Sequence, residues 1–229
     1  MTNDQPTQGQ AKAWGQLFIV AAPSGAGKTS LVKALIEGLS SVQVAVSHTT
    51  RPRRPDEIDG VNYHFVSEPR FRAMQAEGAF IESAQVFGNL YGTSREAIEA
   101  ITSTGHNIIL EIDWQGAQQI RSKEPASVHI FILPPSLAAL RTRLQGRGQD
   151  DPDTINRRMA AALNEISHYR EFDYLIINDN FATALADLAR IIEGQADDLQ
   201  LVTQQAQHTK MINSLLNPAN PAMGPTAVE

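Results

Sequence analysis

Four short apolar runs punctuate the chain, at Leu17–Ala21, 107–113, Val128–Leu133 and 174–179. None alternates cleanly with polar residues, which is the pattern of parallel strands covered on both faces. Between and after them, apolar positions recur at helical spacing. Residues 29–38 carry Leu31, Ala34 and Leu35, with Leu39 just beyond, and 117–123, 137–144, 153–172 and 181–193 repeat the pattern. Strands alternating with helices predict an α/β core built on a parallel sheet.

The stretch between the first two runs reads differently. Residues 42–47 predict a second strand and 60–66 a short alternating one. Residues 69–78 predict a helix, and 80–82 and 89–94 strand and turn elements. Residues 1–15 are polar, rich in Gln and without period, and are expected to be a disordered leader. Beyond Gly194 the pattern predicts one more polar helix over 199–216, a candidate for self-association into a homo-oligomer, and then a disordered tail rich in Pro, Ala and Gly. No internal repeat is present.

With 229 residues, 42% apolar and 19% charged, the chain has room for one α/β core with inserted subdomains. There is no cysteine, so disulfides and thiolate metal sites are excluded and a cytoplasmic location is expected. No apolar stretch approaches the roughly 20 residues needed to span a bilayer. The net charge of −6 disfavours nucleic acid, and any anionic substrate has to be met by local clusters of Arg and Lys.

An anion site of another kind follows the first strand. Ala22-Pro23-Ser24-Gly25-Ala26-Gly27-Lys28-Thr29 turns a strand into a helix, leaving unpaired amides at the helix start, where anions bind. Gly25 and Gly27 let the backbone approach phosphate oxygens, Lys28 reaches the β/γ-phosphates, and the Thr29 hydroxyl is placed to ligate Mg²⁺. Ala22 stands where the strict motif has glycine. Downstream, Arg51, Arg53 and Arg54 meet no acid before Asp56, and two prolines keep them extended. They form either a solvated surface or a second anion site.

Asp113 closes the second run at the strand edge where parallel sheets collect ligands. It is read as facing Mg²⁺ or a substrate donor, or as a turn or helix N-cap. Arg141, Arg143, Arg147, Arg157 and Arg158 lie in a glycine-hinged helical pair suited to a mobile flap over phosphates.

Taken together, Ala22 to Thr29, the Ser-x-Thr-Thr-Arg stretch from Ser47, Asn-x-Tyr-Gly-Thr from Asn89 and Ile-Asp-x-Gln-Gly from Ile112 resemble guanylate kinases in order and spacing, most closely the bacterial branch. The resemblance covers about 16–194. It implies a P-loop nucleoside monophosphate kinase fold, with a core over 16–46, 106–136 and 170–194, an inserted GMP-binding subdomain over 47–105 and a helical lid over 137–169. It further implies phosphoryl transfer from Mg-ATP to GMP. By position, Arg51, Arg54, Tyr63 and Tyr91 would hold the GMP phosphate, and Ser47, Glu82, Thr93 and Asp113 would recognise guanine. Arg143, Arg147 and Arg158 match lid and donor-side positions, and Asn178 matches a donor-adenine contact. Lys28, Arg51, Arg147 and Arg158 are then the catalytic candidates, and Thr29 and Asp113 the metal candidates. Glu111 replaces a more usual Asp, and Thr93 stands where Ser is also found.

The other readings are a non-catalytic interaction module of the same fold, a kinase for another nucleoside monophosphate, or a simple NTP hydrolase. A module of that kind typically loses phosphate-loop or lid residues, and this chain keeps Gly25, Gly27, Lys28, Thr29, Arg147 and Arg158.

Overall fold

The four apolar runs lie side by side. In the computed structural model, which describes residues 14–146 and 152–217, β1 (Leu17–Ala21), β2 (Val42–Val44), β7 (Asn107–Glu111), β8 (Val128–Leu133) and β9 (Tyr174–Ile177) form one parallel sheet in the order β2-β7-β1-β8-β9. Each strand is apolar throughout because both faces are covered. Ile19, Ala21, Ile108, Leu110, Phe131 and Leu133 point into one core, completed by Ile166, Ile212 and Leu215. Phe18, Val20, Ile109, Ile130 and Ile132 point into the other, against Leu31, Leu35, Leu188 and Ile191. The period of two that one-sided strands display in sequence is thus present here in space.

The helices are α1 (Lys28–Gly38), α2 (Glu68–Ala76), α3 (Arg95–Thr102), α4 (Trp114–Lys123), α5 (Leu137–Gln145), α6 (Pro152–Ser167), α7 (Phe181–Ile192), α8 (Leu201–Gln207) and α9 (Thr209–Leu216). Side-chain oxygens close several N-termini. Ser67 accepts from the Arg70 N–H, Ser94 from Ala97, Asp113 from Gly116, Ser136 from Ala139 and Asn180 from Thr183. Among the described residues no helix is long and apolar enough to cross a membrane.

A second sheet stands over the C-terminal edge of the first, built from β3 (His48–Thr49), β4 (His64–Phe65), β5 (Phe80–Val86) and β6 (Asn89–Ser94) in the order β4-β3-β6-β5. It has its own small core of Phe71, Phe80 and Leu90. Gly92 sits against that core because a Cβ there would lie 3.0 Å from Phe71 and 3.1 Å from Phe80.

Several expectations need correction. The strand expected over 42–47 ends at Val44, since Ala45 still donates to Ile109 but the chain then crosses to the second sheet. Of 60–66 only His64–Phe65 is a strand. Helix α3 was not expected from the sequence. The helix expected over 199–216 breaks at His208, where the Thr209 hydroxyl donates to the Gln205 and Ala206 carbonyls and α9 turns to bury Ile212 and Leu215. Gly15, assigned to the leader, is already tied to the fold through its N–H to the Thr102 carbonyl at 3.1 Å. Residues 1–13 and the tail 218–229 lie outside the described residues.

Candidate active site

The turn from β1 into α1 opens onto a cavity of about 630 Å³ between the two sheets. Gly25 and Gly27 both adopt positive φ, +91° and +96°, a region costly for any residue with a Cβ. Gly27 is the N-cap of α1 and supplies no side-chain cap, so the first amides of the helix are left for a ligand. Lys28 Nζ lies over the loop and donates to the Ile112 carbonyl at 3.1 Å. The loop is braced from behind. Asn178, only 4% exposed, donates its amide to the Ala26 carbonyl at 2.7 Å, and Arg143 donates to Asn178 O at 2.8 Å.

A Cβ on Gly27 would stand 2.4 Å from Asn178 Nδ2. Gly27→Ala is therefore expected to lower stability by about 1–3 kcal/mol and to weaken anion binding at the loop, read by thermal denaturation and by titration with a phosphate ligand.

Strand β7 pairs with β1 in a register that sets Glu111 beside Val20, and this brings the Glu111 carboxylate to the Thr29 hydroxyl at 2.9 Å. The acid facing Thr29 is thus Glu111. Asp113, expected there, caps α4 by accepting from the Gly116 N–H at 2.9 Å, while Gln115 donates to its other oxygen at 3.2 Å. Asp113 still lines the cavity.

On the facing wall Arg51, Arg54, Tyr63 and Tyr91 gather. The Arg51 guanidinium lies over the Tyr63 ring at 5.6 Å and donates to Glu57 at 2.6 Å, and Glu57 also accepts from the Arg54 N–H at 2.8 Å. Burial opposes the Glu57 charge, but these donors hold its carboxyl below the usual range. Burial pushes Tyr63 up to about 12, so it remains a phenol, a hydrogen-bond donor.

The floor beside these residues is a buried acid. Glu82 is 3% exposed and accepts from Thr93 Oγ1 at 2.6 Å, and Thr93 in turn pairs with Ser47 Oγ at 2.9 Å. Burial raises the Glu82 pKa to about 7. The Thr93 bond works the other way, and the Asp113 charge adds to the rise. A Cβ at Gly116 would lie 2.7 Å from Glu82 Oε2, so the glycine lets α4 close over the carboxylate.

The third wall comes from α6, which presents Thr154, Arg157, Arg158 and Glu165. Glu165 accepts from the Ser24 N–H of the phosphate loop at 2.9 Å. The sequence reading missed it. The one available signal was its place seven residues, two helical turns, after Arg158, on the same face.

Of the residues expected at the site, Ala22, Pro23, Ser24, Gly25, Gly27, Lys28 and Thr29 line the cavity from one side. Ser47, Arg51, Arg54, Tyr63, Glu82, Tyr91, Asp113 and Arg158 line it from the others. Ala26, Thr93, Arg143 and Asn178 stand behind the lining, and Asn178 is spent on the loop carbonyl rather than turned to the cavity. Arg147 lies outside the described residues.

Comparison with known proteins bears on this arrangement directly. The family model described as guanylate kinase matches residues 15–195, and so spans both sheets and helices α5 and α6. The chain belongs to the guanylate kinase family. It is 56% identical to the guanylate kinase of Alkalilimnicola ehrlichii over 81% of this chain and 92% of that one. It is 54% identical to that of Escherichia coli K12 over 89% and 99%. Its fold is similar to the crystal structure of guanylate kinase from Anaplasma phagocytophilum, with a TM-score of 0.67 and 29% identity over 88% of this chain and 97% of that one. Guanylate kinases are nucleotide kinases that use ATP to phosphorylate GMP, and the chain is an enzyme of this kind.

Proposed function

We propose that ATP and GMP occupy the cavity end to end, phosphate to phosphate, with the residues on its walls dividing the work. The single observation behind this is the cavity itself. A phosphate loop with Lys28 faces Arg51, Arg54 and two tyrosines across one space, with a buried acid beside the arginines.

In this reading the second sheet, over 47–105, is the GMP-binding subdomain, α5 and α6, over 137–169, are the lid, and the remainder of 16–194 is the core. Arg51, Arg54, Tyr63 and Tyr91 hold the GMP phosphate. The carboxylate of Glu82 accepts from guanine N1–H and the exocyclic amine, with Ser47, Thr93 and Asp113 supporting it. Thr93 acts through Glu82 and Ser47 rather than from the cavity wall. The loop amides and Lys28 take the ATP phosphates, Arg158 approaches from the lid, and Arg147 is assigned to the same phosphates by its place in the family pattern. Arg143 and Asn178 serve the donor site by shaping the loop.

A hydroxyl and a carboxylate paired at the start of α1 are oxygen donors of the kind Mg²⁺ accepts. Among the described residues no group of three or more His, Cys, Asp or Glu forms a metal cage. That suits an ion held by one or two protein oxygens and otherwise by substrate phosphates. Thr29 and Glu111 would hold it, with Asp113 in the same wall, and it would supply charge neutralisation between the β- and γ-phosphates.

The acceptor oxygen belongs to a phosphate monoester already largely ionised at pH 7, so a strong general base is not required. The protein's part is alignment and charge, with Lys28 and the lid arginines on the transferring group and Arg51 and Arg54 on the acceptor. A cysteine-free chain acting on soluble nucleotides suits the cytoplasm.

ADP release measured with ATP and each of GMP, AMP, CMP and UMP tests the proposal. GMP is expected to exceed the others in kcat/KM by at least about 100-fold. EDTA is expected to stop turnover while calorimetry still registers GMP binding. Comparable rates with AMP, or undiminished turnover in EDTA, would overturn the respective assignment.

A further inference from the structure

Glu165 is an acid placed against an anion site. A carboxylate beside the phosphate loop repels incoming phosphates, so its presence there calls for a compensating role. Its surroundings point to one. Ser24 sits near the crown of the loop, between Pro23, which has no N–H, and Gly25 at positive φ. The Ala26 N–H is already taken by the Pro23 carbonyl at 2.9 Å. The Ser24 amide is the crown donor that reaches α6, and Glu165 Oε2 accepts it.

Helix α6 packs on α5, where Arg141 also donates to Asn156 Oδ1 at 3.2 Å. Ile155, Met159 and Ala162 pack with Leu140 and Leu144 of α5, and Leu144 lies 3.0 Å from the place a Gly25 Cβ would occupy. These contacts hold α6 against α5, and the tie from α6 to the backbone of the phosphate loop is the Glu165 bond to the Ser24 amide. The Glu165 bond is directional. Arg158 lies on the same face of the helix, two turns and about 10 Å toward its N-terminus. Lys28 and Asp113 are the charged groups of the core that face Glu165, one attractive and one repulsive.

We infer that Glu165 is a positioning residue for phosphoryl transfer. Its bond to the Ser24 amide sets the register of α6 on the phosphate loop and thereby the place of Arg158 beside the donor phosphates. The inference rests on the donor and acceptor sites proposed above and adds the element that links lid to loop. Two features of the residue matter separately, its reach and its charge. Glutamine keeps the reach and an acceptor oxygen, whereas aspartate keeps the charge but falls one methylene short.

The test compares Glu165→Ala, Glu165→Asp and Glu165→Gln by steady-state kinetics in both substrates, with the Kd for GMP from calorimetry. Ala and Asp are expected to lose about tenfold in kcat and to raise the KM for ATP, while the Kd for GMP stays within about twofold. Gln is expected to remain within about threefold of the parent in kcat, since the bond survives with a neutral acceptor. Full turnover in the Ala variant overturns the inference. So does a Gln variant as impaired as Ala, or a parallel loss of GMP affinity in every variant, which marks a general structural role. The parent enzyme separates the two levels. A parent that fails to phosphorylate GMP sinks the proposed function, while an active parent with an unaffected Ala variant sinks only this assignment.

Discussion

Lys28→Ala is expected to lower kcat by about 100- to 1,000-fold while leaving the fold and GMP affinity in place. Among the described residues that line the cavity Lys28 is the one lysine, on the loop side and across the space from Arg51 and Arg54. As the bond to the transferring phosphoryl breaks, charge moves onto the leaving oxygen of ADP, and a fixed cation beside the phosphates acts on it without reorganisation. The fold should survive because the bond to the Ile112 carbonyl is one hydrogen bond from a charged donor, worth about 1.5–3 kcal/mol, less than the stability of an ordinary domain. Circular dichroism and GMP calorimetry check the second half of the statement, and single-turnover kinetics the first. A variant within threefold of the parent would remove Lys28 from the transfer step.

Glu82→Gln is expected to weaken GMP binding at least tenfold and to narrow the preference for GMP over AMP by a similar factor or more. Guanine presents two adjacent donors, which a carboxylate accepts together, whereas a carboxamide offers one acceptor and one opposing donor. Losing one such contact costs about 1–3 kcal/mol, and leaving a buried donor unmet adds to it.

The pH dependence of the same residue makes the test sharper. Burial holds the Glu82 pKa near 7 in the folded enzyme against an ordinary 4.5. Acidification below 7 therefore protonates the carboxyl and removes one acceptor, and GMP affinity should fall with pH in the parent but not through this group in the variant. The GMP phosphate titrates in both proteins and cancels in the comparison.

Stability moves in the opposite direction. The folded state keeps the Glu82 proton to higher pH than the unfolded chain does, so this group's contribution is neutral below about 4.5 and turns against folding as pH rises toward 7. Glu82→Gln is expected to raise the midpoint of thermal unfolding at pH 8 and to leave it nearly unchanged at pH 4.

Much of this was legible in the sequence because the decisive signals were local. The phosphate loop is eight consecutive residues whose glycines, lysine and threonine each have one physical reason to be there. The core strands announce themselves as apolar runs because burial on both faces leaves no polar position. What stayed hidden depended on register between distant segments. Glu111 meets Thr29 because β7 pairs with β1 at Val20 and not one residue further, which would have turned Glu111 to the opposite face. Asp113 carried two readings, ligand and helix cap, and the geometry gives it the cap while leaving it on the cavity wall. Asn178 has the residue type of a base contact, and only the path of the loop reveals that Ala26 claims its amide. Helix α3 lay among short strand and turn signals, and its Ser94 cap and buried Ile98 become informative once the end of β6 is known. Glu165 had no local motif at all, since its partner is a backbone amide 141 positions away.

GMP recognition by this enzyme depends on where the guanine edge lies. A crystal structure of the enzyme with GMP and a non-hydrolysable ATP analogue measures this directly. The predicted result is guanine N1 within hydrogen-bond distance of a Glu82 carboxylate oxygen, with the GMP phosphate among Arg51, Arg54, Tyr63 and Tyr91 and pointing at Lys28. GMP bound with its base away from Glu82, or with its phosphate outside the arginine pair, would contradict it.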